Sequence, residues 1–269
     1  MTAVLSFSGS SFWKRWTPLF ALGSVGVVSL VPVVAPMITE QLQKLPSAPA
    51  LPTPAIIALS MIQPIVLLGI SVASGVALAP RLGFRSHIAE QVTTKTPALP
   101  AVRSQAPLAV AAGVATGLTI AGLDQLIQPW MPEALTSVGQ APFQLKALLA
   151  GMLYGGITEE LLMRWGLMTL LAWLGWKVFQ RKELPVHPMV VWAAIGASAL
   201  LFGIGHLPAV SAVAPLTTAV IGRTIVLNGV GGIVFGWLYW RRSLEAAMIA
   251  HAMGHVTFAA IALIGSALR

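Results

Sequence analysis

The chain reads as an all-α, polytopic bundle of about seven membrane-spanning helices, within a range of six to eight. Three features lead there. Hydrophobic residues make up 57% of the 269 and charged residues only 9%, against about 25% charged in soluble domains. Apolar runs of about 20 residues, the length a helix needs to cross the hydrocarbon core, recur along the whole chain. Basic residues fall between those runs and not in one patch, so the net charge of +8 is loop charge. That is a topology signal and points away from nucleic acid. Cysteine is absent, which excludes disulfides, Cys-ligated zinc or iron–sulfur clusters and a thiol nucleophile.

Residues 1–16 are polar and aromatic, with Trp13 and Trp16 flanking Lys14 and Arg15 as interface anchors. The first span is expected over Thr17–Ile38, longer than the apolar stretch of a cleaved signal and therefore read as retained. Leu45–Pro54 is a stiff Pro/Ala connector. A second span follows over Ala55–Ala79. Pro80–Ala106, with Arg81, Arg85, Lys95 and Arg103, reads as a basic cytoplasmic loop. The third span, Pro107–Ile127, is rich in Gly, Ala and Thr, as helix interfaces in membranes are. Asp124 near its end reads as an interfacial carboxylate reaching headgroup water.

From Pro142 to about Trp176 the pattern is helical for about 35 residues, well beyond the roughly 20 a bilayer needs, so this run must tilt, break or leave the membrane. A basic loop with Lys177, Arg181 and Lys182 follows it. The fifth span runs from Pro188 to His206, where Leu207-Pro208 stops it. The sixth covers about Leu216–Trp240 and holds Arg223 and Asn228. The seventh covers about Leu244–Leu268. Placing the basic loops in the cytoplasm gives a consistent alternation, with the N-terminus inside and the C-terminus outside. Residues 1–141 and 142–269 are expected to be an N-terminal spanning part and a catalytic core within one integrated domain. No internal repeat is visible.

Chemistry concentrates in three late apolar segments: Glu159-Glu160-x-x-x-Arg164, Phe202-x-x-x-His206 and His251-x-x-x-His255. Ionisable groups at membrane depth are costly and mark sites or buried pairs. His87 and His187 lie in polar stretches and read as solvated. Glu160 and Arg164 are four apart and can pair on a helix. Glu159 has no such local partner, which makes it a candidate general base. His251 and His255 share a helix face, about 6 Å apart along the axis, and could share a water or a metal. Taken singly, His206 and the Glu160–Arg164 pair are each explained by helix packing. Taken together, two carboxylates and three histidines in a chain this poor in charge point to one shared polar site.

In that order on successive spans, Glu-Glu-x-x-x-Arg, Phe-x-x-x-His and His-x-x-x-Asn/Asp resemble the CAAX-processing and bacteriocin-processing (CPBP) intramembrane proteases, also called the Abi or type II CAAX prenyl endopeptidase family. The likeness covers about residues 142–268. His255 stands where the family has Asn or Asp. The resemblance implies an intramembrane endopeptidase acting on a peptide or protein in or near the lipid bilayer, in a prokaryotic cytoplasmic membrane. Its site residues would be Glu159, Glu160, Arg164, His206, His251 and His255. Glu159 would activate water, His206 would help hold it, and Glu160 with Arg164 would support the site. His251 and the residue at 255 would bind the scissile carbonyl and its oxyanion. A metal-free glutamate mechanism is the preferred reading, with zinc on Glu159, His206, His251 and His255 as the alternative. A non-catalytic scaffold or regulator and a proton- or cation-coupled transporter are the other functional classes the residues allow.

Overall fold

The computed structural model describes residues 9–45, 47, 50–139, 142–180 and 185–268, and among these the regular structure is entirely helical. Helices α1 (Gly9–Ser29) and α2 (Val31–Gln43) form one apolar stretch bent by 45°. Pro32 lies in the first turn of α2, where its missing N–H is harmless but its ring blocks straight continuation from α1. The expected span Thr17–Ile38 is corrected accordingly: the helix begins at Gly9 and turns at Leu30. Trp16 is also more than an anchor. It stacks on Phe20 at 4.3 Å between ring centroids and donates its indole N–H to the Gly69 carbonyl at 3.1 Å.

Helices α3 (Thr53–Ser60) and α4 (Ile62–Leu82) make the next span, close to expectation. Within the preceding connector, Pro46, Ala48 and Pro49 lie outside the described residues.

The stretch 80–106 is helical and not a loop. Gly83, at φ 76°, ends α4 in the left-handed conformation that glycine adopts without strain. After it come α5 (His87–Thr94) and α6 (Ala98–Ile127), which starts nine residues before the expected boundary. Pro100 sits in the first turn of α6, where proline is tolerated. His87 is buried, contrary to its reading as solvated. The Gln105 amide nitrogen, which can only donate, lies 2.9 Å from His87 Nε2, and Gln105 Oε1 accepts from Ser243 Oγ at 2.8 Å. Glu245 accepts from Ser86 Oγ at 2.7 Å and from the Ile88 N–H at 3.0 Å. These bonds join α5 to the start of α12 (Leu244–Ala267). Asp124 also has a partner the sequence did not show: it accepts from Arg223 Nε at 2.7 Å.

A short α7 (Glu133–Gly139) precedes the long central run. That run comprises α8 (Leu145–Ala150), two π-wound segments (Gly151–Glu159 and Leu161–Met168) and α9 (Thr169–Phe179), with right-handed backbone at each junction. The excess length is taken up by wider winding, since i→i+5 hydrogen bonds put more residues into each turn. Arg181 and Lys182 of the basic loop lie outside the described residues.

Helix α10 (Pro188–Ser211) runs through Pro208 and ends five residues later than expected. His187 caps it from an exposed position, its Nδ1 accepting from the Met189 N–H at 3.2 Å. Helix α11 (Thr218–Arg241) and α12 complete the chain. Five helical stretches are long and apolar enough to cross a membrane, and the bent α1–α2 pair makes a sixth. The chain is therefore an all-α, multi-pass integral membrane protein, with five spans, or six with the bent pair, among the described residues, at the low end of the expected six to eight.

The core knits α1, α4, the π-wound run and α11 around Leu19, Leu68, Leu161, Trp165, Met168 and Tyr239, all buried. The small-residue face of α6 packs on α12: a methyl at Gly117 would stand 2.8 Å from Thr257 Cβ, and one at Gly113 would collide with the Ala250 carbonyl. Gly113→Leu is expected to destabilise by about 1–3 kcal/mol through overpacking. Gly122→Leu, which meets nothing within 4 Å, is the control. Melting in detergent distinguishes them, and equal transitions would mean that α6 and α12 do not meet at Gly113.

Candidate active site

The π-wound run sets the site. π-winding is rare and concentrates at functional positions. On it two adjacent glutamates, a large step apart round the helix, have different surroundings: the Glu160 side chain is fully buried, whereas that of Glu159 is 17% exposed and lines a cavity.

Glu160 sits behind the cavity wall and faces two partners. Its Oε1 accepts from His251 Nδ1 at 2.8 Å. Its Oε2 lies 3.2 Å from Arg164 Nε, an ion-pair contact without hydrogen-bond alignment. Arg164 is buried as well, its guanidinium carbon 5.3 Å and 5.6 Å from the ring centroids of Phe202 and Phe235. Its Nη2 reaches toward the Gly231 and Gly232 carbonyls at 3.4 Å and 3.5 Å. Carboxylate, aromatic faces and carbonyls together compensate a cation that apolar surroundings would otherwise penalise.

His251 is held from three sides. A carboxylate oxygen accepts at Nδ1, Phe235 stacks on the ring at 4.7 Å, and the His255 ring stacks at 5.2 Å with 14° between planes. Its Nε2 is left on the side of Glu159, 3.8 Å from Oε2. On α10, His206 Nδ1 lies 2.8 Å from the Phe202 carbonyl. A carbonyl only accepts, so Nδ1 carries the proton and Nε2 of the neutral ring is an acceptor. The Phe202 ring stands between the histidines, 4.6 Å from His206 and 6.4 Å from His251.

All four side chains, Glu159, His206, His251 and His255, open on one cavity of about 330 Å³. Its wall also includes Tyr154, Thr116 and Asn228 and the apolar Leu30, Ile120 and Phe258. From sequence, His206 falls far along its span and His251 near the start of its own, so level, straight helices would separate them. The structure brings them together on one cavity wall, so α10 and α12 are not level, straight helices. Gly151 and Gly155 serve the same convergence: a methyl at either would stand 2.5 Å from a ring nitrogen of His255. Gly156 instead admits the backbone of Ala252.

Among the described residues no three His, Asp or Glu side chains are grouped to hold a metal. His251 gives Nδ1 to Glu160 and turns Nε2 toward Glu159.

Sequence reading took Glu160 and Arg164 as a local pair and missed that Glu160 also holds His251. No sequence signal marks that bond, which links residues 91 apart. Phe235 was indistinguishable from any apolar residue of α11. Asn228 was visible as a carboxamide in a span, but nothing placed it at the site.

Comparison with known families agrees with the motif resemblance: residues 141–257 match the family model described as Type II CAAX prenyl endopeptidase Rce1-like. A search of curated proteins and one of solved structures returned no significant match.

Proposed function

With residues 141–257 falling in the Rce1-like type II CAAX prenyl endopeptidase family, we propose that this protein is an intramembrane endopeptidase in which Glu159 activates water. The observation that carries the reading is the opening of Glu159, His206, His251 and His255 on one cavity between spans. Water held there gives one proton to the Glu159 carboxylate as its oxygen adds to the scissile carbonyl carbon. His206 accepts the other water hydrogen at Nε2 and so aims the oxygen.

The carbonyl oxygen becomes an oxyanion facing the stacked imidazoles. His251 shares one proton with Glu160 at Nδ1 and gives Nε2–H to that oxyanion, and His255 adds a second donor in place of an amide. Glu160 orients His251 as a carboxyl group orients an imidazole in other hydrolytic sites, and Arg164 holds Glu160 in place. Glu159 then passes its proton to the departing nitrogen, the C–N bond breaks, and a carboxylic acid and an amine leave. The basic residues Lys14, Arg15, Arg81, Arg85, Arg241 and Arg242 support an N-terminus on the cytoplasmic side. The substrate is a peptide or protein in or near the bilayer.

The test is cleavage of a pool of internally quenched decapeptides by purified protein in detergent, with products read by mass spectrometry. His206→Ala is expected to lower the rate at least about 100-fold with an unchanged melting transition. Undiminished cleavage by that variant would remove the water-holding role from His206.

A further inference from the structure

Asn228 lies midway along α11, where a carboxamide is costly in lipid and normally bonds a neighbouring helix. It does not do so here. Among the described residues its side chain makes one hydrogen bond, from Nδ2 to the Thr224 carbonyl of its own helix at 2.8 Å. That bond fixes the orientation of the amide. A carbonyl only accepts, so the nitrogen is turned to the helix and Oδ1 is left without a protein partner. Asn228 also lines the cavity that Glu159, His206, His251 and His255 share. The chain thus presents an uncommitted acceptor, held at a set angle, inside the proposed peptidase site.

We propose that Asn228 is a substrate-positioning residue, whose Oδ1 accepts a backbone N–H of the bound peptide beside the scissile bond. This rests on the peptidase reading. A peptide entering a mostly apolar cavity loses water from its backbone donors, and each must find an acceptor. The helical walls offer few, because their own carbonyls are engaged within the helices. The Thr116 hydroxyl donates to the Ala112 carbonyl at 2.7 Å, and its oxygen, still able to accept, is buried. In the mechanism Glu159 and His206 serve the water, and the stacked histidines serve the carbonyl oxygen. Oδ1 of Asn228 remains for an N–H, and one such bond sets which peptide unit lies against Glu159.

An ester scan tests this. A decapeptide cleaved by the wild-type protein is resynthesised with each non-scissile amide replaced in turn by an ester, which lacks the N–H. One position is expected to raise KM about tenfold, the scale of one lost hydrogen bond, with kcat little changed. In Asn228→Leu the amide peptide shows the same rise, and the ester at that position adds nothing further. Asn228→Asp, which keeps an acceptor, retains the ester penalty and serves if the Leu variant melts early. An ester scan of the wild-type protein with no penalised position overturns the proposal without any variant, as does a penalty that persists unchanged in Asn228→Leu. Loss of cleavage in Glu159→Ala alongside unaltered KM in Asn228→Leu defeats only the Asn228 role. Cleavage that survives Glu159→Ala defeats the peptidase reading and this proposal together.

Discussion

Glu159→Ala is expected to reduce peptide cleavage by about 10²–10⁴-fold, the usual contribution of a positioned general base, while the melting transition in detergent stays within about 1 °C of wild type. The two halves of that expectation have one cause. Glu159 is partly open to the cavity, and its nearest ionic neighbour, His251 Nε2, stands at 3.8 Å, beyond hydrogen-bond reach. Removing the carboxylate therefore orphans no buried donor. Glu159→Gln keeps the shape and removes the base, so it should be as inactive as the alanine variant. A Gln variant that cleaves at the wild-type rate would refute the assignment, and one that unfolds would favour a packing role for this residue.

Arg164→Ala carries the largest expected loss of stability, about 3–5 kcal/mol, because it leaves a fully buried Glu160 without its cation. The double variant Glu160→Leu with Arg164→Met removes both charges and is expected to recover most of that loss, since a well-packed apolar pair often equals a buried ion pair. It should still fail to cleave, because His251 Nδ1 then has no carboxylate to hold it. Thermal melting and cleavage, measured on the same preparations, separate the two effects. A double variant with wild-type activity would show that Glu160 has no part in orienting His251.

The spans were legible from apolar run length, which is a local property, and the late ones were placed within a few residues. What sequence concealed was mostly proline and pairing. Pro107 and Pro208 read as a start and a stop, yet both are carried inside helices, α6 and α10. Asp124 and His87 read as surface groups because their partners, Arg223 and Gln105, lie 99 and 18 residues away. The site shows the same division. Spacing picked out Glu159, Glu160, Arg164, His206, His251 and His255, and the cavity gathers four of them. It could not reveal that the 145–179 run winds more widely over residues 151–168, nor which of two consecutive glutamates faces the cavity.

Gly151 and Gly155 frame the imidazole of His255 from the neighbouring run, and a methyl at either would stand 2.5 Å from one of its ring nitrogens. An alanine at either position can therefore be housed only if that ring swings away, which ties the shape of the cavity wall to two residues that carry no chemistry of their own.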